Sequence, residues 1–179
     1  MSLTEIEYQG KTIEIVYDHE PESPRDWSNI GTMICFHRRY NLGDEHEYTH
    51  EQYNSWEDME QDLSRGHIIV PLYLYDHSGL AISTSSFSCA WDSGQVGFIR
   101  VSKEDARQEY GWKNITKQRR QHIEAVLSGE VEVYNQFLAG QVFGYELSDS
   151  KGEFLESCYG YYSSDQAMLD AISCIECAA

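Results

Sequence analysis

Hydrophobic and polar positions alternate most regularly over Tyr75–Ser102, where two groups of turn-forming residues separate strand-like runs. Asp76–Gly79 is the first group and Asp92–Gly94 is the second, and each is predicted to close a hairpin of a β-meander. The opening segment has the same pattern, because Glu5–Tyr8 and Thr12–Tyr17 alternate with a period of two around a polar turn. The pattern therefore predicts a fold organised around antiparallel sheet.

Four more segments are predicted to be strands. Ile30–His37 contains an apolar run of the kind found in strands that are buried on both faces. His67–Tyr75 contains a proline, which removes one backbone donor and predicts an edge strand or a bulge. Gln141–Leu147 and Glu153–Tyr159 flank a polar, glycine-containing turn and are predicted to form a third hairpin.

Helical spacing of apolar residues marks the remaining segments. Tyr53 to Leu63 is predicted to be an amphipathic helix, and Lys103–Tyr110 a short helix capped by Ser102. Two further helices, Thr116–Leu127 and Glu130–Leu138, are expected to be separated by a Ser-Gly interruption, and a last helix follows a serine cap near the end. We find no internal repeat, low-complexity tract or domain boundary and predict one α+β domain over residues 1–179, with antiparallel meander or hairpins and four to five helices packed on the sheet.

The charge distribution adds a statement about partners. The chain has 30 acidic residues against 13 lysines and arginines, a net charge of −17. Residues 1–66 carry a net charge of −10, residues 67–130 carry none, and residues 131–179 carry −7. This excess disfavours direct binding to nucleic acid or to an anionic membrane and favours a basic protein surface.

Three features predict a soluble, cytoplasmic protein. No stretch approaches the roughly 20 apolar residues that a membrane helix needs. The N-terminal segment lacks the pattern of a secretory signal. Five cysteines cannot all pair, which favours reduced thiols in a cytosol.

One short motif suggests catalysis. His46-Glu47-Tyr48-Thr49-His50 matches H-E-x-x-H, in which two histidines one helical turn apart hold zinc and the glutamate activates the bound water. If Asp44 caps the helix, His46 and His50 share one face and the site can form. If Thr49 is the cap, His46 lies outside the helix and the two histidines diverge. The sequence places no third ligand, although His67, His77 and Glu109 are possible ones.

Three segments of the chain resemble a family of uncharacterised proteins from bacteriophages and mobile elements. They are His37–Asp44, Tyr75–Gly79 and, above all, Trp91–Ile99 with the sequence WDSGQVGFI, and the resemblance is continuous from about Ile34 to Gly160. It implies no catalytic residue. It implies a setting inside a bacterial host, where small phage proteins often interfere with defence. Several anti-restriction and anti-CRISPR proteins are acidic and present carboxylates where a defence complex expects phosphates.

Charge and resemblance together favour a non-enzymatic inhibitor of a host defence nuclease or its complex, acting through an acidic surface that mimics nucleic acid and without a cofactor. Seventeen uncompensated carboxylates match the charge of roughly 29 Å of duplex DNA. One alternative is a zinc-dependent hydrolase that uses His46 and His50 with Glu47 as the base. Another is an interaction module that binds through the loop containing Trp91 and Asp92. The candidate residues for contact with a basic partner are Asp44, Glu45, Glu47, Glu51, Glu57, Asp58 and Asp62.

Overall fold

The computed structural model describes residues 2–178, with only the backbone of Ser2 and His50. The predicted α+β class is confirmed, because these residues form four α-helices and eight antiparallel strands in two sheets. The strands are β1 (Ser2–Tyr8), β2 (Lys11–Tyr17), β3 (Thr32–Cys35), β4 (His67–Asp76), β5 (Leu80–Ser83), β6 (Ser93–Ser102), β7 (Phe143–Asp149) and β8 (Phe154–Tyr161). The helices are α1 (Trp56–Ser64), α2 (Lys103–Tyr110), α3 (Lys117–Leu138) and α4 (Ser164–Cys177), and short 3-10 helices span Pro24–Asp26 and His50–Gln52.

These elements group into two compact units that do not follow one another along the chain. The first unit combines residues 2–24 with residues 136–178, and the second contains residues 25–135. Both ends of the sequence therefore belong to the first unit.

The first unit is a four-stranded sheet with one helix on it. The strand order is β1-β2-β7-β8, so the opening hairpin and the hairpin formed by β7 and β8 are both confirmed. Ile13 and Ile15 of β2 and Leu147 of β7 pack against Ala167 and Ala171 of α4. The two small alanines allow the helix to lie close to the sheet. The other face of the sheet carries polar residues, among them Glu5, Glu14 and Glu146.

The second unit contains the other sheet, with the order β3-β6-β4-β5. Strands β4 and β6 are the long central pair, so the prediction of an edge strand at Pro71 is wrong. Pro71 pairs in register with Phe98, and the irregularity nearby lies on β6, where Val96 is the extra residue opposite Leu72 and Tyr73. The predicted bulge therefore occurs on the neighbouring strand and not at the proline. Met59 and Leu63 of α1 pack on this sheet against Phe98 of β6.

Two predictions about connectivity are wrong. Asp92–Gly94 does not close a hairpin between neighbouring strands, because β6 pairs with β4 and β3 while β5 pairs with the other edge of β4. The helix predicted to break at Ser128-Gly129 is continuous over Lys117–Leu138. The Ser128 hydroxyl donates to the Glu124 carbonyl at 2.8 Å, so its hydrogen-bonding group is satisfied within the helix.

A glycine explains the close approach of β3 and β6. A Cβ atom at Gly97 would lie 1.8 Å from the carbonyl oxygen of Ile34 on the neighbouring strand. Only glycine permits this contact. The WDSGQVGFI segment thereby packs against β3, the strand that precedes the loop with the H-E-x-x-H motif.

Candidate functional site

The H-E-x-x-H motif lies on a loop. Residues 45–49 form no regular structure, and the 3-10 helix begins after Thr49, whose backbone N–H donates to Gln52 Oε1 at 3.0 Å. The cap at Thr49 is thus the one that forms, and His46 lies outside any helix. The α-helix itself begins at Trp56, after Ser55 accepts a hydrogen bond from the Asp58 amide.

The surroundings of His46 are those of a half-buried aromatic residue. Its Nε2 donates to the Cys35 carbonyl at 3.1 Å, and its ring contacts Phe36 edge-on at 5.1 Å between centroids. Its Nδ1 is buried without a hydrogen-bond partner. Glu47 is exposed, and the His50 side chain lies outside the described residues. Over the part of the chain that is described, no group of three His, Cys, Asp or Glu residues is arranged to hold a metal.

Asp44 is part of a buried ion-pair network. Its Oδ2 lies 2.6 Å from Nη2 of Arg25, whose Nη1 lies 3.1 Å from Oε2 of Glu130. The Arg25 side chain is 5% exposed, against 20% for Asp44 and 12% for Glu130. Asp44 also accepts the Met33 amide at 2.7 Å. Its charge is therefore compensated inside the protein and contributes little to an acidic contact surface.

The thiol of Cys35, which lies near Asp44, is unreactive. Burial, with the added charge of Asp44, raises the pKa of Cys35 to about 12. The thiol is protonated at neutral pH and does not act as a nucleophile. His37 lies beyond the end of β3 and stacks on Tyr40.

The other six acidic candidates are all exposed. They lie before α1 and along it, and Asp62 has two contacts that fix it in place. Tyr53 donates its hydroxyl to Asp62 at 3.1 Å, and Arg65 lies 3.7 Å from the same carboxylate. The six residues are Glu45, Glu47, Glu51, Glu57, Asp58 and Asp62.

An aromatic pocket of about 300 Å³ lies among these carboxylates. Phe36, Tyr53 and Trp56 line it together with Met59, and Glu57 of the first helical turn is also part of the lining. The three aromatic side chains are half-buried, which leaves part of each ring accessible. The helical spacing of Tyr53 and Trp56 predicted an amphipathic helix, and that spacing did not reveal the pocket.

A second pocket, of about 490 Å³, contains an arginine. Arg100 places its guanidinium carbon 5.1 Å from the centroid of the Tyr48 ring and donates to His67 Nε2 at 2.9 Å. Burial and the charge of Arg100 lower the pKa of His67, so this imidazole accepts from Arg100 in its neutral form. Among the residues described, no carboxylate forms an ion pair with Arg100.

The first unit carries a row of glutamates on the open face of its sheet. Glu14 of β2 lies directly opposite Glu5 of β1 on one side and Glu146 of β7 on the other. Glu7 shares this face, whereas Lys11 lies on the face covered by α4. No basic residue lies on the open face within the described strands. Like charges directly opposite one another destabilise a sheet.

Most of the net negative charge lies in the first unit, which combines segments from both ends of the chain. Residues 1–24 and 136–179 contain 13 acidic residues and two basic ones, a net charge of −11 out of −17. Residues 25–135 contain 17 acidic and 11 basic residues, a net charge of −6. The sequence predicted a glutamate-rich opening hairpin. It did not show that Glu146 extends this row, because that depends on the pairing of β2 with β7.

The loop before β6 presents an isolated aromatic residue. Trp91 is 96% exposed. This exposure favours the hypothesis of an interaction module that binds through the loop containing Trp91 and Asp92. Its neighbour Asp92 lies 3.6 Å from Nδ1 of His77. The loop is thus tied at Asp92 while the indole projects into solvent, as an interface anchor would.

Comparison of the chain with family models, with curated proteins and with solved structures finds no match. Within residues 2–178, no helix combines the length and the apolar character needed to cross a bilayer.

Proposed function

We propose that the protein binds a basic surface of a protein partner and thereby competes with nucleic acid for that surface. The observation that carries the proposal is the row formed by Glu5, Glu14 and Glu146. Like charges directly opposite one another are unfavourable in a sheet, and within the described strands no basic residue shares their face; the Tyr159 hydroxyl that donates to Glu146 at 2.6 Å offsets only part of this cost. The negative potential of the row is what we propose the sequence retains it for.

The spacing of the row suits a phosphate-binding surface. Neighbouring strands lie about 4.8 Å apart, and the carboxylates of directly opposite residues follow one another at about 6 Å. Phosphates along one strand of duplex DNA follow at about 3.4 Å of axis each. The two charge densities are of the same order, and basic residues arranged for phosphates would meet carboxylates at a comparable density.

A host defence nuclease or its complex is the partner we propose. The resemblance of Trp91–Ile99 to phage and mobile-element proteins supplies this setting. A nuclease also has the required surface, because it must present lysines and arginines to its substrate. The six exposed carboxylates from Glu45 to Asp62 provide a further acidic surface in the second unit.

The test is inhibition of DNA cleavage by a panel of purified restriction endonucleases and CRISPR effector complexes. The acidic row is neutralised in a triple variant, Glu5→Gln, Glu14→Gln and Glu146→Gln. The control has the same net charge but changes three exposed glutamates elsewhere, Glu22→Gln, Glu109→Gln and Glu132→Gln. We expect at least one nuclease to be inhibited, with inhibition weakened at least tenfold in the row variant and unchanged in the control. Full inhibition by the row variant, or inhibition of no nuclease, would contradict the proposal.

A second contact surface is supported by the exposure of Trp91. Aromatic anchors often dominate the binding energy of an interface, and this one has no packing role to explain it. In the same cleavage assay, Trp91→Ala is expected to weaken inhibition without lowering the thermal stability of the free protein. Unchanged inhibition would assign the binding to the carboxylates alone.

A further inference from the structure

The aromatic pocket at the start of α1 has a rigid frame. Trp56 contacts Phe98 edge-on at 5.9 Å between ring centroids and lies 6.0 Å from Phe36. Tyr53 is held by the hydrogen bond from its hydroxyl to Asp62. Because these rings are fixed by their neighbours, the pocket of about 300 Å³ exists before any ligand enters.

The charges around the pocket favour a cation. Glu57 lines it, and Glu51 and Asp58 are exposed close by in the sequence. The first turn of a helix usually attracts anions, but here its donors are partly used, since Ser55 Oγ accepts the Asp58 amide at 3.2 Å. An anion in the pocket would also face the carboxylate of Glu57.

The protein itself shows which cation suits this aromatic cluster. The guanidinium of Arg100 lies over the Tyr48 ring, and the Tyr48 ring lies 6.4 Å from the Tyr53 ring between centroids. Tyr53 thus continues the cluster from one pocket into the other. A planar, weakly hydrated guanidinium stacks on an aromatic face more readily than the compact ammonium of lysine.

We infer that this pocket binds an arginine side chain of the basic partner, with the guanidinium against Tyr53 and Trp56 and facing Glu57. The inference rests on the proposed function, since it names the residue type that the partner contributes. The acidic surface then supplies long-range attraction, and the pocket supplies a preference for arginine over other basic residues.

The test uses short, fluorescently labelled lysine–serine peptides with arginine, lysine or the neutral isostere citrulline at the centre. Binding is measured by fluorescence anisotropy at about 50 mM salt, where electrostatic attraction is strong. The arginine peptide is expected to bind roughly three- to thirtyfold more tightly than the citrulline peptide, with the lysine peptide between them.

Four variants separate the pocket from general charge. Tyr53→Leu removes a wall and is expected to abolish the preference for arginine, whereas Tyr53→Phe keeps the ring and should retain it. Glu57→Gln is expected to weaken arginine binding severalfold. Glu60→Gln is the matched control, because Glu60 is exposed on the same helix but does not line the pocket.

The outcomes distinguish failure of the arginine pocket from failure of the proposed binding to a basic partner. An arginine preference that disappears in Tyr53→Leu and survives in Tyr53→Phe and Glu60→Gln supports the pocket. Equal binding of the arginine and lysine peptides, unchanged by Tyr53→Leu, would overturn the pocket and leave the acidic surface standing. Failure of every basic peptide to bind would overturn both.

Discussion

Replacing Glu14 with glutamine is expected to stabilise the protein. Glu14 occupies the centre of the acidic row and lies directly opposite both Glu5 and Glu146. The substitution keeps the size of the side chain, removes its charge and replaces one acceptor oxygen by an NH2 donor. The part of the stability change that shrinks with added salt therefore reports the repulsion within the row.

The magnitude follows from the register of the strands. Directly opposite residues have Cβ atoms about 5 Å apart, and carboxylates at about 6 Å repel by about 0.7 kcal/mol in water. Two such neighbours give about 1.4 kcal/mol at low salt. Screening with a Debye length of about 8 Å at 0.15 M reduces this value by about half. Glu5→Gln removes the charge of a residue at the end of the row and should gain about half as much as Glu14→Gln.

The assay is urea denaturation followed by far-ultraviolet circular dichroism. Circular dichroism reports on the strands of both units, whereas all four tryptophans lie within residues 25–135. Glu109→Gln, on the exposed face of α2, controls for the loss of one negative charge. The reasoning would be refuted if Glu14→Gln left the free energy of unfolding unchanged or lowered it, or if the gain did not shrink with added salt.

Three further predictions concern the second unit. Arg25→Met leaves the partly buried carboxylates of Asp44 and Glu130 without their cation and should cost about 1–3 kcal/mol of unfolding free energy in urea denaturation; an unchanged midpoint would contradict this. Burial lowers the pKa of His67 in the folded state, so the unfolded state binds its proton more readily, and stability should fall as pH drops through about 6.5. His67→Asn should flatten the dependence of the unfolding free energy on pH in this range. Parallel pH profiles for the variant and the wild type would contradict this prediction. Elemental analysis should find no stoichiometric zinc, with no change in His46→Ala; one zinc per chain, lost in the variant, would restore the hydrolase reading.

Local sequence signals were sufficient where the structure is locally determined. Helix α2 begins after Ser102, whose hydroxyl accepts the Asp105 amide, and ends at Gly111, which has a positive φ of 64°. Both residues act within one turn of the helix, so the sequence alone predicted them. The opening hairpin is equally local, because its two strands are joined by a two-residue turn.

Signals that depend on distant residues were misread or missed. Asp92–Gly94 has the composition of a hairpin turn, but the place of β6 beside β4 is decided by long-range pairing. Asp44 belongs to the acidic segment by sequence, and its pairing with Arg25 depends on a residue 19 positions away. The acidic row joins Glu14 to a strand near the other end of the chain. Composition does not encode such pairings, and they decide which carboxylates are available to a partner.

The most direct measurement is the affinity of the protein for a nuclease that it inhibits, determined without DNA between about 50 and 200 mM salt. Binding of the wild-type protein is expected to weaken steeply with salt. The variant Glu5→Gln, Glu14→Gln, Glu146→Gln is expected to bind more weakly and with a shallower salt dependence, whereas Glu22→Gln, Glu109→Gln, Glu132→Gln should follow the wild type. If both triple variants bound with the affinity and the salt dependence of the wild type, the acidic row would not be the binding surface.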